Sequence, residues 1–75
     1  MMMYVIAVKR DKRREMSLGD AVSSLKEIEG VDVLDDPTNK VAVRALISQQ
    51  AYPKVLKRIS AYCHVEQQIE HKFAV

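Results

Sequence analysis

The fold is decided by the stretch VDVLDDPTNKVAVRAL, which occupies residues 31–46. Two short apolar runs, at residues 31–34 and 41–46, flank a polar segment. Within that segment Pro37 fixes its own φ, and Asn39 tolerates the left-handed region of backbone space. Runs rich in Val on both sides of such a turn predict an antiparallel hairpin, with residues 31–34 as one strand and residues 41–46 as the next.

Before the hairpin, the sequence predicts a strand and a helix. Residues 3–9 are rich in β-branched and aromatic side chains, which favours a strand. Ser17 has the side chain of a helix N-cap, and Asp20 complements the exposed amides of the first turn. Gly30 is expected to end this helix in a left-handed conformation. The apolar stripe of the helix consists of Leu18, Ala21, Val22, Leu25 and Ile28.

After the hairpin, the sequence predicts a second helix and a fourth strand. Pro53 suits the first turn of a helix, so regular helix is expected from about Tyr52. Residues 65–71 predict the fourth strand, and residues 72–75 remain as a tail that either lies free or folds back so that Phe73 covers the edge of the sheet. The apolar stripe of the second helix consists of Tyr52, Val55, Leu56 and Ile59.

The predicted order of elements is therefore β-α-β-β-α-β, in a single domain over residues 1–75. The segment IAVK at residues 6–9 resembles VAVR at residues 41–44, as expected for the two central strands of a ferredoxin-like fold. We predict an α+β domain in which a four-stranded antiparallel sheet carries two helices on one face. Residues expected to face the helices are Tyr4, Ile6, Val8, Val41 and Val43. Residues expected on the outer face are Val5, Ala7 and Ala42, with Lys9 and Arg44 beside them.

The composition is that of a small globular protein. Apolar residues at 48% and charged residues at 29% do not fit a disordered chain, and a net charge of +2 does not by itself indicate nucleic acid or membrane. Cys63 is the only cysteine, so no internal disulfide can form, which favours a reducing compartment. The apolar run at residues 1–8 is too short for a spanning helix. We therefore expect a cytoplasmic protein that does not act at a membrane.

The loop after the first strand concentrates positive charge. It is either a docking site for phosphate or an acidic partner, or a solvated loop balanced by Asp11 and Glu15. Binding of nucleic acid by the sheet is disfavoured, because RNA-recognition sheets stack bases on outward aromatic residues, which this sheet lacks. Five of the twelve Lys and Arg residues form this basic loop: Lys9, Arg10, Lys12, Arg13 and Arg14.

No pattern of side chains predicts catalysis, a metal or a cofactor. Acylphosphatases share this topology and use a first-loop arginine with an asparagine on a central strand, which invites comparison with Arg10 or Arg13 and with Asn39. Their phosphate cradle needs glycine, and the loop KRDKRRE at residues 9–15 has none. We expect that the protein is not an enzyme. The candidate metal ligands Cys63, His64 and His71 match no known ligand spacing.

The outer face of the predicted sheet is the more informative surface. Small apolar residues beside Lys9 and Arg44 are typical of a flat protein-binding surface or of a homodimer seam. An ordinary half-polar sheet face has the same composition, so the pattern leaves these interpretations open.

The chain resembles the subtilisin propeptide and proteinase inhibitor I9-like family over nearly all of its length. The opening YVIAVK at residues 4–9 looks like the first strand of that family. Gly30-Val31 and Val41-Ala42 match its glycine and its later apolar-alanine positions. The segment VEQQ at residues 65–68 is similar to the Val-Glu-x-Asp end of its last strand, with Gln68 in place of the acid.

The resemblance implies a stand-alone inhibitor or folding chaperone of a subtilisin-type serine protease. In that family the outer sheet face packs on two protease helices, and the C-terminal tail enters the active-site cleft as a substrate mimic. Glu66 would pair with the N-termini of those helices. The implied binding residues are Val5, Ala7, Ala42, Arg44 and Glu66 on the face, and His71, Lys72, Phe73, Ala74 and Val75 in the tail.

Two other classes of function stay open. One is an unrelated binding module, either a maturation chaperone that clasps a basic or extended peptide on its sheet or a small regulatory homodimer. The other is a phosphate-directed enzyme or nucleic-acid binder that uses the basic loop.

Overall fold

The predicted hairpin forms one half of a four-stranded antiparallel sheet in the computed structural model, which describes residues 1–68. The strands lie in the order β2-β3-β1-β4, and a single 3₁₀ turn at Arg10–Lys12 separates β1 from α1. This arrangement confirms the predicted α+β, ferredoxin-like βαββαβ fold. The elements are β1 Met2–Val8, α1 Leu18–Lys26, β2 Val31–Val33, β3 Val43–Ile47, α2 Tyr52–Ile59 and β4 Cys63–Gln67.

The core lies between the two helices and one face of the sheet. Side chains of β1 alternate across the sheet, so Ile6 is fully buried and its neighbour Val5 is only half-buried. Tyr4 also faces inward, and its ring stacks on Tyr52 of α2 with centroids 4.9 Å apart. The predicted inward positions are confirmed for Tyr4, Ile6, Val8 and Val43.

The start of α1 is set by a reciprocal capping box. The Ser17 Oγ accepts a hydrogen bond from the Asp20 amide at 3.0 Å, and the Asp20 carboxylate accepts one from the Ser17 amide at 3.2 Å. These bonds satisfy two amides that the helix leaves without partners. The predicted N-cap is confirmed, and Ala21, Val22, Leu25 and Ile28 bury the predicted stripe.

The predicted end of α1 at Gly30 is wrong, because the helix ends at Lys26. The amides of Glu27 and Ile28 then donate to carbonyls three residues back, which tightens the chain into a turn. Gly30 does have a positive φ of 91°, but it lies beyond that turn and joins the chain to β2. A Cβ at Gly30 would lie 2.5 Å from the Ser48 Oγ, so this position needs glycine for space as well as for conformation.

The predicted hairpin is present, but its second strand is shorter than expected. The strand β3 begins at Val43, two residues later than predicted, and Asn39 takes the expected left-handed conformation with φ 59°. The prediction that Val41 faces the helices is therefore wrong, since Val41 is 77% exposed. Ala42 is half-buried and also precedes the strand.

The strand β4 occupies different residues from those predicted. It begins at Cys63, which pairs with Val8, and runs to Gln67. Backbone hydrogen bonds extend the pairing of β1 with β4 by one residue at each end of β4. The Lys9 amide donates to the Tyr62 carbonyl at 2.7 Å, and the Gln68 amide donates to the Met3 carbonyl at 2.9 Å. The remainder of the predicted strand, at residues 69–71, lies outside the described residues.

Candidate protein-binding face of the sheet

The face of the sheet opposite the helices is built by the cross-strand register. Val5 of β1 lies between Arg44 of β3 and Glu66 of β4, which brings three of the predicted binding residues into one row. Ala7 lies two residues along β1, opposite His64 of β4. We call this side of the sheet the outer face.

Larger apolar side chains join this face than the sequence analysis identified. Met3 pairs with Leu46, and Leu46 also pairs with Asp32 at the edge strand β2. Leu34 follows β2 on the same side and is 41% exposed, with its amide bonded to the Arg44 carbonyl at 2.8 Å. We call Met3, Val5, Leu34 and Leu46 the apolar patch. Strand alternation could have identified Met3 and Leu46 from the sequence.

A shallow depression lies at one end of the apolar patch. It has a volume of about 360 Å³ and is lined by Met1, Met3, Leu46, Arg44 and Gln68. Three of these side chains are apolar, whereas Arg44 and Gln68 supply hydrogen-bonding groups. Concave apolar surface with a few polar groups is the usual form of a site that receives a partner's side chain.

Arg44 is held in place by Asp35, which the sequence analysis did not identify. The Asp35 carboxylate accepts hydrogen bonds from the Arg44 Nε at 3.0 Å, from Nη2 at 2.9 Å and from the backbone amide at 2.9 Å. The side-chain bonds, followed by the backbone bond, hold the pKa of Asp35 well below its usual range. Asp35 in turn raises the pKa of Arg44. The pair is therefore ionised at neutral pH.

The same carboxylate explains where the pairing of β2 with β3 stops. In a longer ladder the Arg44 amide would donate to the Leu34 carbonyl, because the Leu34 amide already donates to the Arg44 carbonyl. The Asp35 carboxylate takes that amide instead. The pairing of β2 with β3 therefore stops at Val33 and Ala45, whereas β3 itself begins at Val43, which pairs with Ile6 of β1.

The other predicted binding residues, Ala42 and residues 71–75, are not placed on the outer face by the described strands. Ala42 lies before β3 and outside the paired strands, so its predicted place on a strand is wrong. The predicted tail residues Lys72, Phe73, Ala74 and Val75, as well as His71, lie outside the described residues.

The basic loop uses part of its backbone in an internal turn. Its backbone turns on itself, because the amides of Lys12, Glu15 and Met16 donate to carbonyls within the loop. Lys12 pairs with Glu15 at 3.4 Å, on the surface. Amides that are used within the turn cannot also point at a bound anion. Asn39 lies at the hairpin turn and on no strand, so the arrangement compared with acylphosphatases is not reproduced.

Cys63 and His64 point to opposite sides of the sheet. Cys63 is 3% exposed among the core side chains, where burial raises the pKa of its thiol, and His64 is exposed on the outer face. Cys63 is therefore a core residue of β4. Among residues 1–68, no group of three His, Cys, Asp or Glu side chains is placed to hold a metal ion.

A second groove, of about 560 Å³, lies between the end of α1 and the exposed side of α2. Its walls carry both signs of charge, and Arg58 of α2 is bonded to Glu27 at 3.0 Å. The other lining residues are Ile28, Glu29, Lys54 and Lys57. Mixed charges that pair with each other do not indicate a ligand of one sign.

In the described part of the chain, neither helix has the length and apolar character needed to cross a membrane. Comparisons of this chain with protein-family models, with curated proteins and with solved structures find no match.

Proposed function

We propose that this protein is a small protein-binding module that acts through the outer face of its sheet. Its most specific form is a stand-alone inhibitor or folding chaperone of a subtilisin-type serine protease. The observation that carries the proposal is the row Arg44–Val5–Glu66, which crosses the apolar patch at Val5 on the side of the sheet opposite both helices.

The composition of the outer face supports binding of a protein. Its centre is apolar and half-buried, and its charged residues stand around that centre. Such an arrangement allows a partner to exclude water from the middle while the rim remains solvated.

Arg44 would contribute hydrogen bonds to the partner. A guanidinium has five N–H donors, and Asp35 accepts from the Nε and Nη2 groups. The three donors left after these two bonds can reach carbonyl groups of a partner. Because Asp35 fixes the side chain beforehand, less rotamer entropy is lost when the complex forms.

The tail at residues 72–75 would complete the inhibitor, as the family resemblance implies. An extended segment binds a cleft through main-chain hydrogen bonds, and pockets for its side chains give specificity. The protein would thus act by binding and not as an enzyme, without a cofactor. The single cysteine supports a reducing compartment such as the cytoplasm.

An inhibition assay with matched variants tests this proposal. Val5→Arg places a long charged side chain in the centre of the outer face, whereas Ser23→Arg adds the same charge on the exposed side of α1. We expect Val5→Arg to weaken inhibition of a purified subtilisin-type protease by about 30-fold or more, a loss of about 2 kcal/mol typical of a central interface residue. Ser23→Arg should inhibit like the wild type.

A second control addresses the rival site in the basic loop. Arg13→Ser with Arg14→Ser removes two exposed charges of that loop, and inhibition should stay within a few-fold of wild type. Melting curves of every variant establish that each one is folded. If the wild type inhibits no such protease, the specific form of the proposal fails. If inhibition is lost with the loop variant and kept with Val5→Arg, the outer face is not the site.

A further inference from the structure

The charges around the apolar patch indicate what kind of partner surface fits it. Asp35 accepts three hydrogen bonds from Arg44, so the positive charge of Arg44 already has a fixed counter-ion. Lys9 is the first residue of the basic loop and follows the end of β1, beyond Ala7 and four residues from Val5. Of the lysine and arginine side chains on this side of the described sheet, Arg44 is therefore paired and Lys9 is distant from the patch.

Two exposed carboxylates remain next to the patch, one on each edge strand. Asp32 of β2 pairs with Leu46, and Glu66 of β4 pairs with Val5. Adjacent strands are about 4.8 Å apart, so three strand spacings place these edges about 14 Å from each other. Met3, Val5 and Leu46 of the apolar patch lie on the two strands between these edges.

We propose that the outer face selects a protein surface that is apolar in the middle and positively charged on both sides, opposite Asp32 and Glu66. This inference rests on the proposed function, because it assumes that the outer face is the binding site. Apolar contact supplies affinity, whereas complementary charges at the rim set specificity and the rate of association.

The same pattern disfavours a face-to-face homodimer. A two-fold interface brings the same patch of both copies together. Each copy would then bring its carboxylates at the two edges of the face against the carboxylates of its partner. Like charges that meet at an interface cost free energy, so a second copy is a poorer occupant than a basic surface.

Charge reversal at matched sites tests the inference. The double variant Asp32→Lys, Glu66→Lys reverses the two carboxylates, and Asp11→Lys, Glu15→Lys makes an equal charge change in the basic loop. Inhibition of a purified subtilisin-type protease is measured at low and high NaCl. The face variant should weaken inhibition about tenfold or more at low salt and less at high salt, because salt screens charges at the rim. The loop variant should stay within about twofold, and unchanged or stronger inhibition by the face variant would overturn the inference.

A second experiment tests the charge preference of the outer face without a protease. Two synthetic peptides share an apolar centre with one tryptophan and carry either lysine or glutamate on both flanks. The chain itself has no tryptophan, so the peptide fluorescence reports binding. The lysine-flanked peptide should bind at least about tenfold more tightly, and Asp32→Lys with Glu66→Lys should abolish that preference. Equal affinity, a preference for glutamate, or binding of neither peptide would overturn the inference, even if the protease proposal stands.

Discussion

Asp35 and Arg44 are nine residues apart in sequence and form a single clamp at the end of the β2–β3 hairpin. One carboxylate holds the guanidinium and also takes the backbone amide that the next ladder bond would need. The contact that ends the hairpin therefore also fixes the position of Arg44 on the outer face. The Asp35–Arg44 contact thus determines both where the pairing of β2 with β3 ends and where the Arg44 side chain lies.

The clamp predicts a particular dependence of stability on pH. The hydrogen bonds from Arg44 lower the pKa of Asp35 in the folded protein, whereas an aspartate in the unfolded chain titrates near about 3.9. Below that pH the unfolded chain binds more protons than the folded one, so acid favours unfolding. The contribution of Asp35 is complete above about pH 5 and declines below about pH 4.

Thermal melting of wild type and Asp35→Asn from neutral to acid pH tests this dependence. The variant should melt at a lower temperature at pH 7, and the difference between the two proteins should shrink in acid. Asp36 has a lowered pKa as well, owing to its bonds from Thr38, but it is present in both proteins and does not affect the comparison. A difference that stays constant down to pH 3 would show that the clamp is not the source.

The core of α1 predicts a large loss of stability for Leu25→Ala. Leu25 is fully buried between the helices and the sheet. Its truncation should lower the free energy of unfolding by about 2–5 kcal/mol, because it removes buried methyl groups and leaves a cavity. Ser23→Ala on the exposed side of the same helix is the control, and it should change little. Chemical denaturation measures the free energy of unfolding of both variants. If Leu25→Ala is as stable as Ser23→Ala, Leu25 does not face the core.

The two glycines of the chain should respond oppositely to alanine. Gly30→Ala combines a positive φ with a Cβ 2.5 Å from the Ser48 Oγ, which itself accepts a bond from the Ala51 amide at 3.1 Å. We expect it to destabilise the protein by more than about 1 kcal/mol. Gly19 lies within α1, and the nearest atom to a new Cβ is 3.7 Å away, so Gly19→Ala should be neutral or stabilising by up to about 1 kcal/mol. A stable Gly30→Ala variant would contradict the described turn.

Signals that are local in the sequence predicted the fold well. The capping box at Ser17 and Asp20 and the turn at Asn39 each depend on a few adjacent residues, and both are present. The alternation of β1 correctly placed Tyr4, Ile6 and Val8 in the core. These features follow from backbone and side-chain chemistry that a short segment already contains.

Boundaries set by distant residues were not predictable in this way. The ladder between β2 and β3 ends at Val33 and Ala45 because Asp35 captures the Arg44 amide, a contact across the hairpin that no local pattern reveals. The strand β4 begins at Cys63 because it pairs with Val8, far away in sequence.

The candidate site was predicted in part. Alternation placed Val5, Ala7 and Arg44 on one face, the family resemblance added Glu66, and the register brings the four into neighbouring rows. Ala42 was assigned to a strand that does not include it. The role of Asp35 and the edge position of Asp32 depend on strand pairing, so they became visible only in the structure.

Removal of the tail at residues 72–75 should weaken protease inhibition without lowering the stability of the fold. The described strands end at Gln67, and the resemblance assigns residues 72–75 to the protease cleft. Deletion of Lys72 to Val75 should leave the melting temperature nearly unchanged and should remove most of the inhibition. If the melting temperature falls by many degrees, Phe73 belongs to the folded core, and the tail is not an inhibitor arm.

The central claim is that a protein partner binds the outer face, and amide chemical-shift mapping tests it most directly. The ¹⁵N-labelled chain is titrated with a catalytically inactive subtilisin-type protease, and the amide signals are followed residue by residue. We predict that the largest changes within residues 1–68 fall on the outer-face row, at Val5, Arg44 and Glu66, and on the neighbouring residues Met3 and Leu46. Changes confined to the basic loop or to the exposed side of α2, with the outer face unaffected, would contradict the claim.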